Sequence, residues 1–233
     1  MSPIRKKTVV FHVGAHKTGT SLLQKFMRDN NTTLRRNRIY YLSRSAFGEK
    51  ITPEQACHDL VTPVCGEEVS SRVWKGFTML EQATALIAKH DPQFGIPAPD
   101  MVLKHLRNEP PPAWWTEARD LYLGAMNEMY RANTRAREGG RSYTLYFARR
   151  CEFAFQYMNC LLAVRRAGIA KADQQAEIRL AELETAVEAI YGALNALAAV
   201  ARSSSDRGTI AVLNEYAYRP LKRELEAAEQ ASR

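Results

Sequence analysis

Apolar residues recur at spacings of three and four positions through the second half of the chain, as in amphipathic helices. One such stripe consists of Leu180, Leu183, Val187 and Ile190. The pattern predicts helices over residues 114–137, 142–167 and 172–202, and a fourth from about Thr209 into the tail. Because short connections join these long helices, the pattern favours an up-and-down helical bundle.

Residues that cap or break helices mark the predicted boundaries. Gly168 is expected just beyond the end of the second helix, and Asp206 is expected to cap the fourth. Upstream, Pro53 favours the first position of a short helix, and residues 78–89 again have helical spacing. After the prolines at 110–112, the adjacent tryptophans 114–115 are interpreted as a core anchor, with a sugar-stacking platform as the alternative.

The first 45 residues have a different pattern. Residues 8–13 lack helical spacing and predict a buried strand, residues 19–29 predict a helix, and residues 37–43 predict a second short strand. The expected fold is therefore an α-rich α/β fold, with a short N-terminal strand–phosphate loop–helix unit followed by a mostly helical bundle. The expected domains are residues 1–48 and residues 49–233.

Composition and charge narrow the classes of partner. The 233 residues are 45% hydrophobic and carry a net charge of +8 that is spread along the helices. A basic balance suits an anionic cofactor, an anionic substrate or nucleic acid, and the spread of the charge favours a solvated basic surface over a nucleic-acid interface. No run approaches the ~20 apolar residues of a membrane span, and the short run at residues 8–13 does not fit a signal peptide. These features predict a cytoplasmic protein without a membrane span.

The cysteines and histidines point away from a metal site. The four cysteines (Cys57, Cys65, Cys151 and Cys160) contain no C-x-x-C pair, and the five histidines lack the spacing of zinc ligands. We therefore predict reduced, buried or half-buried thiols and no bound metal.

The loop after the first predicted strand carries the clearest chemical signal. Gly14 and Gly19 keep the glycine spacing of a nucleotide-binding phosphate loop, in which a lysine follows the second glycine. Here Thr20 occupies that position, and the lysine is Lys17. A glycine-containing loop at the start of a helix directs backbone N–H groups at an anion, so the sequence predicts a phosphate site with an unusual lysine position.

This variant resembles the 5′-phosphosulfate loop of sulfotransferases that use 3′-phosphoadenosine 5′-phosphosulfate (PAPS), in their bacterial and carbohydrate branches. The residues that match the family pattern are His12, Val13, Gly14, Lys17, Thr18, Gly19, Thr20, Ser21, Leu23 and Gln24. The resemblance implies transfer of a sulfuryl group from PAPS to a hydroxyl on a carbohydrate or other small molecule. It also implies that Lys17 is catalytic and that the cofactor is bound by Gly14, His16, Lys17, Thr18, Gly19, Thr20 and Ser21.

A PAPS enzyme also needs a site for the 3′-phosphate, which in this family is an arginine after a strand and a serine about eight residues later. Arg149 and Arg150 are the candidates, if residues 143–148 form a strand. The alternative is a continuous helix through residues 142–167 that exposes both arginines. Gln156, Tyr157 and Met158 occupy the region where the serine would lie.

Two functional hypotheses remain open at this stage. Residues 150–157 and 206–221 loosely resemble the C-terminal helical region of some large bacterial glycoside hydrolases. That resemblance implies a non-catalytic helical interaction or support module with a vestigial phosphate loop. The loop motif favours the other hypothesis, a PAPS-dependent sulfotransferase.

Overall fold

Helices form all the regular structure in residues 52–232, the part of the chain that the computed structural model describes. The α-helices are α1 Pro53–Cys65, α2 Glu67–His90, α3 Ala113–Arg135, α4 Glu138–Ala172, α5 Ala176–Ala198, α6 Ser204–Leu213 and α7 Arg219–Ala231. A 3-10 turn covers Leu103–His105, and a π-helical turn covers Asn214–Tyr218.

The predicted α-rich α/β fold class is wrong, because the described residues form helices and contain no strand. Residues 143–150, where a strand was one interpretation, lie within α4. Their buried positions, Thr144, Ala148 and Cys151, are three and four residues apart, so one helical face enters the core. The predicted strand–loop–helix unit and the domain boundary after residue 48 lie outside the described residues.

The four long helices, α2 to α5, pack in the order of the chain, each against the next. Residues 136–137 alone connect α3 to α4, and residues 173–175 connect α4 to α5, so these helices are antiparallel neighbours. The predicted helical bundle is therefore confirmed. The helices predicted over 114–137 and 172–202 correspond to α3 and α5.

Two clusters of buried apolar side chains hold these helices together. In the first, Leu161 and Val164 of α4 meet Leu183 and Ile190 of α5, and all four side chains are inaccessible to solvent. In the second, residues of α2 and α3 pack together, and the buried Met129 side chain of α3 lies against Gly76 of α2. Each burial of a Leu, Ile, Val or Met side chain contributes about 1.5–3 kcal/mol, so these clusters are the main source of stability.

Helix α4 continues through Gly168, where the sequence pattern predicted its end. A Cβ atom at Gly168 would lie 2.5 Å from both the backbone N and the backbone O of Arg107. Glycine is therefore needed here because another segment of backbone crosses the helix, and not because the helix ends. The helix ends four residues later, at Ala172.

The turn before α6 lies where the sequence predicted a break between helices, but its N-cap is not the predicted Asp206. Ser203 is the N-cap, and its side chain accepts a hydrogen bond from the backbone N–H of Asp206. The Asp206 carboxylate accepts in return from the backbone N–H groups of Arg202 and Ser203, which lowers its pKa to about 2. Asp206 is thus the third residue of a capping box instead of the cap itself.

The C-terminal segment is one helical run that contains the π-helical turn and contacts α5 along its length. This turn follows α6 directly and continues into α7, which packs against α5. Leu221 and Ala228 are the buried residues of α7. Because they lie seven residues apart, they fall on the same face of the helix, the face that contacts the bundle.

The four cysteines are free thiols, as the sequence predicted. Cys57 is half-buried, and Cys65, Cys151 and Cys160 are buried. Burial raises the pKa of all four thiols, to about 11 for Cys57 and about 12 for Cys151. At neutral pH they are therefore protonated and poor nucleophiles.

Residues 52–232 hold no group of three or more His, Cys, Asp or Glu side chains placed to bind a metal ion. Of the helices described, none has both the length and the apolar composition needed to cross a bilayer.

Candidate ligand pocket and the predicted anion site

The predicted phosphosulfate loop, with Gly14, His16, Lys17, Thr18, Gly19, Thr20 and Ser21, lies outside the described residues. Its role therefore stays a prediction from the sequence. Of the predicted site residues, the structure describes Arg149 and Arg150.

Arg149 and Arg150 lie on α4, as the helical interpretation predicted, although Arg149 is half-buried and Arg150 alone is exposed. Both have local partners. Arg149 donates to Glu152 over 2.8 Å, and its guanidinium carbon lies 5.8 Å from the centre of the Tyr130 ring. Glu152 also accepts a hydrogen bond from the Tyr130 hydroxyl. The Arg149 guanidinium is therefore held by an acidic and an aromatic neighbour.

The Arg150 side chain has a corresponding set of partners. It donates to the hydroxyl of Tyr146 over 3.0 Å, and it forms an ion pair with Asp206 at 3.5 Å. Its guanidinium carbon lies 5.2 Å from the centre of the Tyr146 ring. Since both arginines are engaged within the helical body, their geometry gives no support to a 3′-phosphate site.

An apolar cavity of about 550 Å³ that is partly open to solvent lies between helices of the body, and sequence reasoning did not identify it. Five segments supply its walls. The side chains that define it are Ile87 of α2, Phe94 of the loop after α2, Tyr122 of α3, Phe153 and Tyr157 of α4, and Val212 of α6. Its volume falls within the ~300–1,000 Å³ that is usual for small-molecule sites.

Helix α4 forms one wall of the cavity. Phe153, Ala154, Tyr157 and Met158 all line it, and their spacings of three and four residues place them on one face. The rings of Phe153 and Tyr157 lie 6.0 Å apart, centre to centre. In the sequence, the spacing of these aromatic residues by one helical turn was a signal for the cavity wall, although the same pattern is equally typical of an ordinary core.

The loop between α2 and the 3-10 turn forms another wall. Backbone hydrogen bonds from Phe94 to Asp91 and from Ile96 to Gln93 fold it into consecutive turns. Gly95 lies between them with a φ of 79°, a conformation that favours glycine. The turns bring Phe94 against Tyr157, with their ring centres 6.3 Å apart.

Two phenol groups give the apolar walls a polar element. Burial raises the pKa of Tyr122 to about 12, with a smaller contribution from Cys151. Burial also raises the pKa of Tyr157, which is 7% exposed. Both hydroxyl groups are therefore protonated at neutral pH, and each is a hydrogen-bond donor.

Trp115 anchors the start of α3 behind this wall, which confirms the interpretation of the paired tryptophans as a core anchor. It is 2% exposed, and its ring centre lies 6.1 Å from that of Phe94. On its other sides lie His105, with ring centres 5.0 Å apart, and the guanidinium of Arg165, 5.4 Å from the ring centre. Arg165 is itself paired with Glu109 at 3.0 Å.

The environment of His105 should make the stability of the protein depend on pH. Burial is the main reason that its pKa falls from 6.5 to about 4, and the positive charges of Lys104, Arg165 and Arg107 act in the same direction. The folded state therefore keeps this imidazole neutral between pH 6.5 and 4, whereas the unfolded chain takes up a proton. Because the unfolded state binds more protons, stability should fall as the pH is lowered through this range.

Urea unfolding of the protein and of His105→Gln at a series of pH values measures this effect. The difference in unfolding free energy between the two proteins should change between pH 6.5 and 4 and should be constant above pH 6.5. Carboxylates that titrate in the same range affect both proteins equally and cancel in the difference. Parallel pH profiles for the two proteins would contradict the assignment.

No protein-family model matches the chain, and no curated protein or solved structure shows significant similarity to it.

Proposed function

We propose that this protein binds PAPS through residues 12–24 and transfers its sulfuryl group to a hydroxyl-bearing carbohydrate or other small molecule. The observation that carries the proposal is the order of residues in the loop. Gly14 and Gly19 keep phosphate-loop spacing, Lys17 lies between them, and Thr20 and Ser21 follow. That order resembles the phosphosulfate loop and departs from the nucleotide loop that serves phosphoryl transfer.

The loop residues would act by stabilising charge. In the reaction the acceptor oxygen forms a bond to sulfur, while the bond from sulfur to the 5′-phosphate oxygen breaks. Negative charge then develops on the phosphate, and the ammonium of Lys17 would stabilise it. The hydroxyl groups of Thr20 and Ser21 and the backbone N–H groups of residues 18–21 would hold the anion. The acceptor proton passes to a base that the motif does not identify.

The proposal leaves Arg149 and Arg150 out of the cofactor site. Each is already paired with an acidic side chain of the helical body. A 3′-phosphate would have to compete with that carboxylate for the guanidinium. Binding of PAPS is therefore proposed through the loop alone.

Calorimetric titration with 3′,5′-adenosine bisphosphate, the stable product of PAPS, tests the cofactor site. The wild-type protein should bind it, and Lys17→Ala should bind about 10- to 100-fold more weakly, because a charge-assisted hydrogen bond is lost. Lys6→Ala removes the same charge outside the motif and should leave the affinity nearly unchanged. Equal loss in both variants, or no binding to the wild type, would refute the cofactor site.

Transfer needs a separate assay. Release of adenosine bisphosphate from PAPS in the presence of a mixture of sugars and phenols should be faster with the wild-type protein than with Lys17→Ala. Binding without any release would refute the enzymatic part of the proposal and leave the cofactor site intact.

A second candidate function is a non-catalytic helical module, which the helical body favours. Helices α2 to α5 form a continuous packed array, and both candidate arginines of the second phosphate site form ion pairs with acidic residues of α4 and α6. A module of this kind should bind pyrophosphate and adenosine bisphosphate with equal affinity, and that affinity should fall steeply with added salt. It should release no product from PAPS.

A further inference from the structure

We propose that the apolar cavity between α2, α3, α4 and α6 is a binding site for a neutral, mainly apolar aromatic small molecule that carries a hydrogen-bond acceptor. The inference goes beyond the proposed function and does not rest on it, since the cavity is formed by residues 87–213 and the loop motif takes no part.

The walls of the cavity select against charge. Among the described residues that line it there is no Asp, Glu, Lys, Arg or His, and its two tyrosines are neutral at pH 7. A charged ligand would lose its hydration without gaining an ion pair, which is costly in an apolar site. An apolar ligand would instead gain from removing its surface, and that of the walls, from water.

The aromatic side chains favour a ligand with a ring. Phe94 and Tyr157 are arranged edge to face, with an angle of 77° between their planes, and Phe153 lies tilted by 32° to Tyr157. These three rings, which line the cavity, therefore lie at different angles. An aromatic ligand can pair with one of them in the offset or edge-to-face geometry that such rings prefer.

The phenol groups of Tyr122 and Tyr157 supply the polar recognition. Both residues line the cavity, and neither hydroxyl is hydrogen-bonded to another side chain or backbone group of residues 52–232. A carbonyl, ether or hydroxyl oxygen on the ligand would accept a hydrogen bond from one of them. An unpaired donor in an apolar wall is the usual means by which such a site orients its ligand.

The π-helical turn is consistent with a binding role for this region. Thr209, Val212 and Leu213 of α6 line the cavity, and the π-helical turn begins at the next residue, Asn214. Single π-helical turns within helices occur frequently at functional sites.

A titration with Prodan, a neutral naphthalene ketone whose fluorescence depends on its surroundings, tests the inference. Its emission should shift to shorter wavelength and saturate on binding to the wild-type protein. Ala154→Phe places a ring in the cavity from the lining face of α4 and should weaken binding about tenfold or more. Ala181→Phe makes the same change at an exposed position of α5 and should leave the affinity unchanged.

A second variant tests the cavity independently, in case Ala154→Phe does not fold. Gly208 lines the same cavity, and a Cβ atom there would meet no atom within 4 Å. Gly208→Phe should therefore fold and still weaken Prodan binding. Its matched control is Gly139→Phe, another helical glycine with open space around it and no place in the cavity.

The acceptor requirement has its own test. The double variant Tyr122→Phe/Tyr157→Phe keeps both rings and removes both hydroxyl groups, so it should weaken Prodan binding about three- to tenfold. Tyr191→Phe, at a side chain 54% exposed, is the control. Undiminished binding in the double variant would overturn the acceptor requirement. Undiminished binding in the Ala154 and Gly208 variants, or none to the wild type, would overturn the site.

Discussion

Trp115→Ala should destabilise the protein by about 3–5 kcal/mol, the cost of truncating a large aromatic side chain in a packed core. The indole is 2% exposed and lies between Phe94, His105 and Arg165. Its removal would leave a cavity, and the buried Arg165 guanidinium would lose the aromatic ring that it contacts. Chemical unfolding, followed by circular dichroism at 222 nm, measures the change.

Two further variants separate the loss of packing from a general effect of alanine. Trp115→Phe keeps an aromatic ring and removes an indole N–H that has no hydrogen-bond partner among residues 52–232, so it should cost much less. Ile178→Ala removes a large apolar side chain that is 52% exposed and should change stability by less than about 0.5 kcal/mol. If Trp115→Ala cost no more than Ile178→Ala, the tryptophan would not be the anchor of α3.

Gly168→Ala should destabilise the protein by about 1–3 kcal/mol, although alanine is the better helix former. The added Cβ would lie 2.5 Å from the backbone of Arg107, and a backbone segment cannot yield as the end of a flexible side chain can. To accept the methyl group, α4 and the segment around Arg107 must move apart. That movement would disturb the neighbouring contact of Arg165 with Trp115.

Gly192→Ala is the matched control, because Gly192 also lies inside a long helix. The nearest atom to its added Cβ would be Gln156 Cδ at 3.7 Å, an ordinary van der Waals distance. This substitution should stabilise the protein by up to about 1 kcal/mol through helix propensity. The two substitutions are chemically identical. Changes of opposite sign in the free energy of unfolding, relative to the wild type, would therefore isolate the effect of the crossing backbone. The same sign in both would contradict it.

The helical body could be predicted from the sequence because its signal is local. The spacing of Leu183, Val187 and Ile190 places them on one face of a single helix. Leu183 and Ile190 are buried and Val187 is half-buried against the core, which confirms the pattern. Gly168 shows where local reasoning fails. A glycine near the end of an apolar stripe is typical of a helix terminus, and only the position of Arg107, about 60 residues earlier, reveals its role as a close-contact residue.

The cavity could not be predicted for the same reason. Phe94, Tyr122 and Val212 come from a loop and two helices, and each has the residue type of an ordinary core position. What distinguishes them is an unfilled space between elements, which depends on how the helices pack and not on any one segment. The anion loop is the opposite case, since its signal is contained in a few adjacent residues and the prediction rests on them alone.

The packing of each long helix against its neighbour in the chain also bears on how the protein folds. Helices α3, α4 and α5 are joined by only two or three residues and can dock as soon as they have formed, at little cost in chain entropy, whereas residues 91–112 connect α2 to α3. Folding can therefore proceed by adding one helix at a time to a growing hairpin, without waiting for distant segments to meet. The last addition is the segment of α6, the π-helical turn and α7, which packs against α5 less extensively than the long helices pack against one another. The C-terminal helix should be the last to dock, and the first to open when the protein is destabilised.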